Sequence, residues 1–192
     1  MVDKYQTNVY NQTKEKIMKT KDLTEISLFT AIIVMCAYIT IPYTIPFTMQ
    51  TFGIFLAISV LGKNKGSLAI LIYLLIGAIG IPVFSGFRGG LGVLLSYTGG
   101  YIIGFLAGGY ISGLIGEYIG KTYIKQLISM LAGLLVCYIF GSLWFYFVYT
   151  NNTGSIGIIS VLTTCVVPFI IPDIAKIALA VYIGKKVKRF VR

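Results

Sequence analysis

Asp173 and Lys176 are an acid and a base three residues apart inside the long apolar stretch from Val161 to Ile183, in the segment Pro168-Phe-Ile-Ile-Pro-Asp-Ile-Ala-Lys176. Three residues is close to one helical turn, so the carboxylate and the ammonium share a helix face and partly neutralise each other. Either charge costs about 2.5–3.5 kcal/mol near a bilayer centre on insertion scales, so a chain that keeps both has reason to set them against a cavity. There the carboxylate accepts hydrogen bonds and the ammonium donates them, which suits a small ligand carrying both kinds of group. The plain alternative is an ion pair that ties two helices together. Small residues do that without desolvating a charge, and the chain has 22 glycines.

Other side chains qualify as partners for a ligand. Gln50 stands at the start of an apolar run, and Phe47, Phe84, Phe87, Tyr97 and Tyr101 lie near the same ends of their runs. Mostly apolar walls with a few placed polar groups are what a small-molecule site requires. Arg88 sits within Gly86-Phe-Arg-Gly-Gly-Leu-Gly92, whose glycines have no helical spacing. Such a segment folds back near the bilayer surface, where irregular backbone is tolerated if it lines a wet cavity. Arg88 reads equally as a contact for a ligand carboxylate and as a contact for lipid headgroups.

The chemistry available is narrow. The chain has no histidine, which removes His-based metal sites and triads, and Cys36, Cys137 and Cys165 stand apart in apolar runs as buried thiols. No phosphate-binding G-x-x-x-x-G-K-[ST] loop is present, and only six acids occur in total. A non-enzymatic protein with no metal and no cofactor is expected.

The elements that must position these groups are helices in a membrane. Hydrophobic residues make up 57% and charged residues 11% of the chain, and the mean hydropathy is +0.87, far from the composition of soluble domains. Apolar runs predict six transmembrane helices near 25–42, 47–62, 66–83, 97–119, 126–149 and 157–184, with a glycine-rich outer loop between helices three and four. Strand-period alternation is absent. Residues 1–24 read as a polar cytoplasmic leader and 25–192 as a single six-helix membrane domain. Lysines and arginines collect before helix one, at Lys63 and Lys65, at Lys121 and Lys125, and after helix six, while the other three loops hold Arg88 alone. The positive-inside rule therefore places both termini in the cytoplasm, N-in and C-in. This asymmetry and anionic lipid account for the net charge of +10 without nucleic acid.

Small residues draw two rows. Gly100, Gly104, Gly108, Ser112, Gly116 and Gly120 recur at four-residue spacing along helix four, a ridge that lets another helix approach closely. Ser27 and Ala31 share a face at the start of helix one.

Five ordered segments resemble a known family: Pro46-Phe-Thr-Met-Gln50-Thr, Tyr73-Leu-Leu-Ile-Gly-Ala-Ile-Gly80-Ile-Pro-Val-Phe84, Gly89-Gly-Leu-Gly-Val-Leu-Leu95, Thr98-Gly-Gly-Tyr101-Ile-Ile-Gly-Phe105 and Pro168 to Lys176. They are similar to BioY, the biotin-binding S components of energy-coupling factor (ECF) transporters. Ser96-Tyr97 departs from the Gly-Pro usual in that family. The resemblance implies six helices in the bacterial plasma membrane and high-affinity binding of biotin on the outer side. It also implies uptake with a transmembrane T component and two cytoplasmic ATPases, reached through small residues of helix one, here Ser27 and Ala31. Biotin offers two ureido N–H donors, a carbonyl and a carboxylate. Asp173 and Lys176 match the first two, Gln50, Phe47, Phe84 and Tyr101 are further candidates, and Arg88 is the electrostatic choice for the carboxylate. A stand-alone proton-coupled carrier using Asp173 as its relay is the alternative, against which stands the lack of an internal repeat.

Overall fold

The computed structural model describes residues 19–42 and 45–191, with side chains as far as 188. The leader expected over 1–24 falls mostly outside the described residues, Lys4, Lys14 and Lys16 included. The first helix, α1 (Thr20–Tyr38), buries Ile26, Phe29, Ile33 and Ala37 along one face and leaves Ser27, Leu28, Ala31 and Met35 exposed on the other. It stops short of the expected 42. Ile39, Thr40 and Ile41 are β-branched and precede Pro42, a combination that favours extended backbone. Accordingly β1 (Thr40–Ile41) pairs antiparallel with β2 (Phe47–Thr48), Thr40 opposite Thr48 and Ile41 opposite Phe47. Phe47 therefore lies on a short hairpin, where the sequence reading had the start of a helix.

The next helix, α2 (Gln50–Ala78), is assigned as 29 residues but is broken at Gly62, whose φ of 81° and ψ of −174° no helix adopts. A Cβ at Gly66 would lie 3.0 Å from the Cα of Ile58, whereas eight residues of continuous helix span about 12 Å. The chain thus reverses at a single residue, and 63–78 runs back beside 50–61. At about 1.5 Å per residue the two arms measure roughly 18 and 24 Å, each less than the ~30 Å hydrocarbon core.

After the glycine segment and the short α3 (Leu91–Leu94) come α4 (Gly99–Ile119) and α5 (Tyr123–Asn152). The expected sixth helix is two, α6 (Ile158–Cys165) and α7 (Val167–Val191), broken at Val166. Pro168 explains the break, because it has no N–H for the carbonyl of residue 164 and its ring crowds that carbonyl. Pro172, inside α7, likewise leaves the Pro168 carbonyl without its helical donor just ahead of Asp173.

The glycine ridge of α4 packs within the molecule, against α5. A Cβ at Gly108 would come within 2.4 Å of the Gly133 carbonyl oxygen, Gly104 faces Cys137, Gly100 faces Trp144, and Gly116 faces Ser129. Along α1, the Thr30 hydroxyl lies 3.1 Å from the Ala69 carbonyl oxygen and ties α1 to the returning arm of α2.

Lysines gather at one end. Lys63 donates to Glu117 at 2.6 Å, Lys65 reaches Asp22 and Glu25, and the Lys185 ammonium lies over the Tyr123 ring. This is the end that the positive-inside rule turns to the cytoplasm. By length and composition alone, Gln50–Ala78, Gly99–Ile119, Tyr123–Asn152 and Ile158–Lys188 are long and apolar enough to cross a membrane, the first being folded back at Gly62 and the last broken at Val166. With α1 and the two arms of α2 counted separately and α6 taken with α7, the described residues form six long helical segments, the number that the hydropathy pattern predicts, although neither arm of α2 is long enough to cross the hydrocarbon by itself.

Candidate binding site

A cavity opens at the end opposite the lysines, with apolar walls and a few polar groups, as small-ligand sites have. Asp173 and Lys176 on α7, Gln50 at the start of α2, Tyr101 on α4, and Phe84 and Arg88 of the glycine segment all line it. Six of the seven candidate binding residues thus meet in one space. Phe47 stands behind the lining, stacked on Phe169 at 5.5 Å and covering the Lys176 ammonium, 4.3 Å from its ring centroid. Ser27 and Ala31 lie outside, on the exposed face of α1.

The charged pair is buried, Asp173 4% and Lys176 7% exposed. Lys176 Nζ donates to Asp173 Oδ1 at 2.9 Å, and the Tyr138 hydroxyl of α5 donates to Oδ2 at 2.8 Å. Each carboxylate oxygen is held by one donor and keeps lone-pair capacity. The ammonium has three donors, of which Asp173 takes one. A ligand that both donates and accepts can therefore bind between them without breaking the pair.

Gln50 is fixed by its own donation, Nε2 to the Tyr73 hydroxyl at 2.9 Å, which leaves its carbonyl oxygen for a ligand donor. Tyr73 meets the Phe84 ring edge-on at 5.5 Å. Phe84 sits over Gly77, where a Cβ would fall 2.1 Å from the ring. That glycine is needed for Phe84 to reach the cavity wall. Tyr101 is held through its hydroxyl by Ser142 at 3.0 Å.

The mouth is built by the hairpin and the glycine segment. Phe84 and Arg88 exchange backbone hydrogen bonds across a turn in which Phe87 takes φ 56°, and the Gly90 N–H returns to the Gly77 carbonyl at 2.7 Å. Arg88 is exposed, its Nε donating to the Ser85 carbonyl at 3.2 Å. The Thr40 and Ser85 hydroxyls meet at 3.0 Å, joining the two segments over the opening. Phe87 packs on Tyr38, and Tyr97 packs on Phe145 and Tyr149, so neither walls the cavity.

Tyr138, Tyr73 and Phe169 were missed by the sequence reading. In apolar helices they look like core aromatics, and their polar partners lie 35 and 23 residues away in the first two cases. Among the described residues no group of three or more Cys, Asp or Glu side chains could hold a metal ion.

The fold and site define a multi-pass helical membrane protein with a cavity lined by a buried charged pair. The chain belongs to the BioY family, whose pattern it matches over residues 10–192. It is 40% identical over 173 residues to a probable biotin transporter BioY of Pyrococcus horikoshii, covering 89% of this chain and 98% of that one. It is 38% identical over 170 residues to the biotin transporter BioY of Thermotoga maritima, covering 88% and 96%. The crystal structure of the S-component for biotin from an ECF-type ABC transporter superposes with a TM-score of 0.80 at 27% identity, covering 90% of this chain and 95% of that one.

Proposed function

We infer that this chain is a biotin-binding S component that mediates biotin uptake, with the ligand held in the cavity between α2, α4, α5 and α7. The observation that carries the reading is the Asp173–Lys176 pair, buried, oriented by Tyr138 and lining the cavity. The ureido N–H groups donate to Asp173 and to the Gln50 carbonyl oxygen, and Lys176 donates to the ureido oxygen. The apolar thiophane ring rests among Tyr101, Phe84 and Phe169, and the valerate tail extends toward the mouth, where Arg88 offers its guanidinium. Charge-assisted hydrogen bonds in a desolvated site give the affinity.

The chain performs no chemistry on its ligand. A T component and two ATPases supply the energy for release, and the exposed face of α1 bearing Ser27 and Ala31 is where the T component docks, small side chains allowing close helix approach. The site of action is the bacterial plasma membrane.

Mass spectrometry of small molecules retained by the purified protein tests the ligand. Biotin in the eluate is expected. Its absence from protein shown to be folded and exposed to biotin would overturn the reading.

A further inference from the structure

Thr51 lines the cavity and is only 5% exposed, yet its hydroxyl has no hydrogen-bond partner among the described residues. Other helical threonines turn the hydroxyl back on the carbonyl four residues earlier: Thr24 on Thr20 at 3.0 Å, Thr30 on Ile26 at 2.9 Å and Thr163 on Ile159 at 3.0 Å. For Thr51 that residue is Phe47, which lies in β2, before α2 begins at Gln50. The nearby Thr48 hydroxyl is engaged by the Gln50 N–H at 3.2 Å. A buried hydroxyl without a partner is a cost that valine, of the same shape, would avoid.

We propose that Thr51 contacts the ligand and sets specificity, its hydroxyl donating to the same oxygen acceptor as Lys176. The assignment rests on the cavity being the biotin site, and the acceptor is then the ureido oxygen.

The packing of α2 against α7 brings the two donors to one level. Both helices run from this cavity toward the lysine end, since Thr51 and Lys176 line the cavity while Gly62 and Lys188 lie at the lysine end. Near that end Ser59 packs on Gly184, where a Cβ would fall 2.7 Å from the Ser59 Cβ. Thr51 and Lys176 each stand eight residues before this contact, about 12 Å along their helices. The hydroxyl and the ammonium therefore enter the cavity at the same depth. A carbonyl oxygen has two lone pairs and can accept from both. The start of α2 adds to the preference, because its N-cap Met49 makes no side-chain cap and its first turn holds no acid. The positive end of the helix dipole thus favours an oxygen acceptor beside Thr51. Two donors on one atom select oxygen over sulfur, a weak acceptor.

Isothermal titration of biotin, and of its thiourea analogue with sulfur in place of the ureido oxygen, into the purified full chain, Thr51→Val and Thr51→Ser tests the proposal. Thr51→Val keeps the shape and loses the hydroxyl. It is expected to bind biotin about tenfold more weakly and the thiourea analogue no more than about threefold more weakly. Thr51→Ser keeps the hydroxyl and is expected to stay within about threefold of the parent for both ligands. Should Thr51→Val fail to fold, as judged by its thermal melt, Thr51→Ala is read by the same comparison. Parental biotin affinity in Thr51→Val, or an equal loss for both ligands, would overturn the role of Thr51 and leave the biotin reading standing. A folded parent chain that binds no biotin would overturn both.

Discussion

The Lys176 ammonium lies 4.3 Å from the centre of the Phe47 ring. Phe47 belongs to the hairpin and Lys176 to α7, so this contact joins the hairpin to the charged pair. A desolvated cation over an aromatic face is worth about 2 kcal/mol or more, against 0.5–1 kcal/mol at exposed sites. Replacing Phe47 with Ala should weaken biotin binding about ten- to thirtyfold and act mainly on the dissociation rate. Stopped-flow exchange of labelled biotin checks this, and an unchanged dissociation rate would mean that the Phe47 contact does not retain the ligand.

Tyr138 orients the carboxylate. In Tyr138→Phe the Asp173 Oδ2 atom loses its donor, and a buried acceptor left unsatisfied costs about 1–3 kcal/mol. The variant should therefore melt at a lower temperature in the absence of biotin and bind biotin roughly tenfold more weakly. Thermal melts with and without biotin distinguish the two contributions; identical melting of variant and parent would make the hydrogen bond unimportant.

Ser27 and Ala31 face outward from α1. Ser27→Trp or Ala31→Trp should abolish uptake in cells supplied with the T component and ATPases, and leave equilibrium biotin binding by the isolated chain intact. Uptake that survives both substitutions would place the docking surface elsewhere.

The Thr40 and Ser85 hydroxyls join the hairpin to the segment that carries Phe84 and Arg88, beside the cavity. Ligand contacts made in the closed arrangement shift the population toward it. A Ser85→Cys variant lacking Cys36, Cys137 and Cys165 should label more slowly with a membrane-impermeant thiol reagent when biotin is bound. Equal rates with and without saturating biotin would mean that this segment does not gate the cavity.

The helical passes and the charged pair were legible in the sequence because hydrocarbon tolerates few alternatives: long apolar runs must be helical, and charges within them must face something polar. Gly62 is different. A break was visible there, but a reversal on one residue depends on a φ of 81° that only the packing of Gly66 on Ile58 reveals. The break at Val166 had a local signal in Pro168, masked by uninterrupted hydropathy from α6 into α7. The strand pairing of Phe47 also escaped, because two residues are too few to display alternation. Tyr138 and Tyr73 carried no signal of their own, since a tyrosine hydroxyl in an apolar helix discloses its partner only once the helices are packed.

Isothermal titration of biotin into the parent chain, Asp173→Asn, Lys176→Met and the double variant tests most directly whether the buried pair is the recognition device. Each single substitution leaves a buried partner uncompensated, and truncating one member of such a pair costs about 2–5 kcal/mol, roughly thirtyfold or more in affinity. Both single variants are expected to bind biotin at least thirtyfold more weakly, and the double variant to lose less than the sum of the two losses. Parental affinity in all three variants, each shown to be folded, would contradict it and reduce Asp173 and Lys176 to a packing contact between α5 and α7.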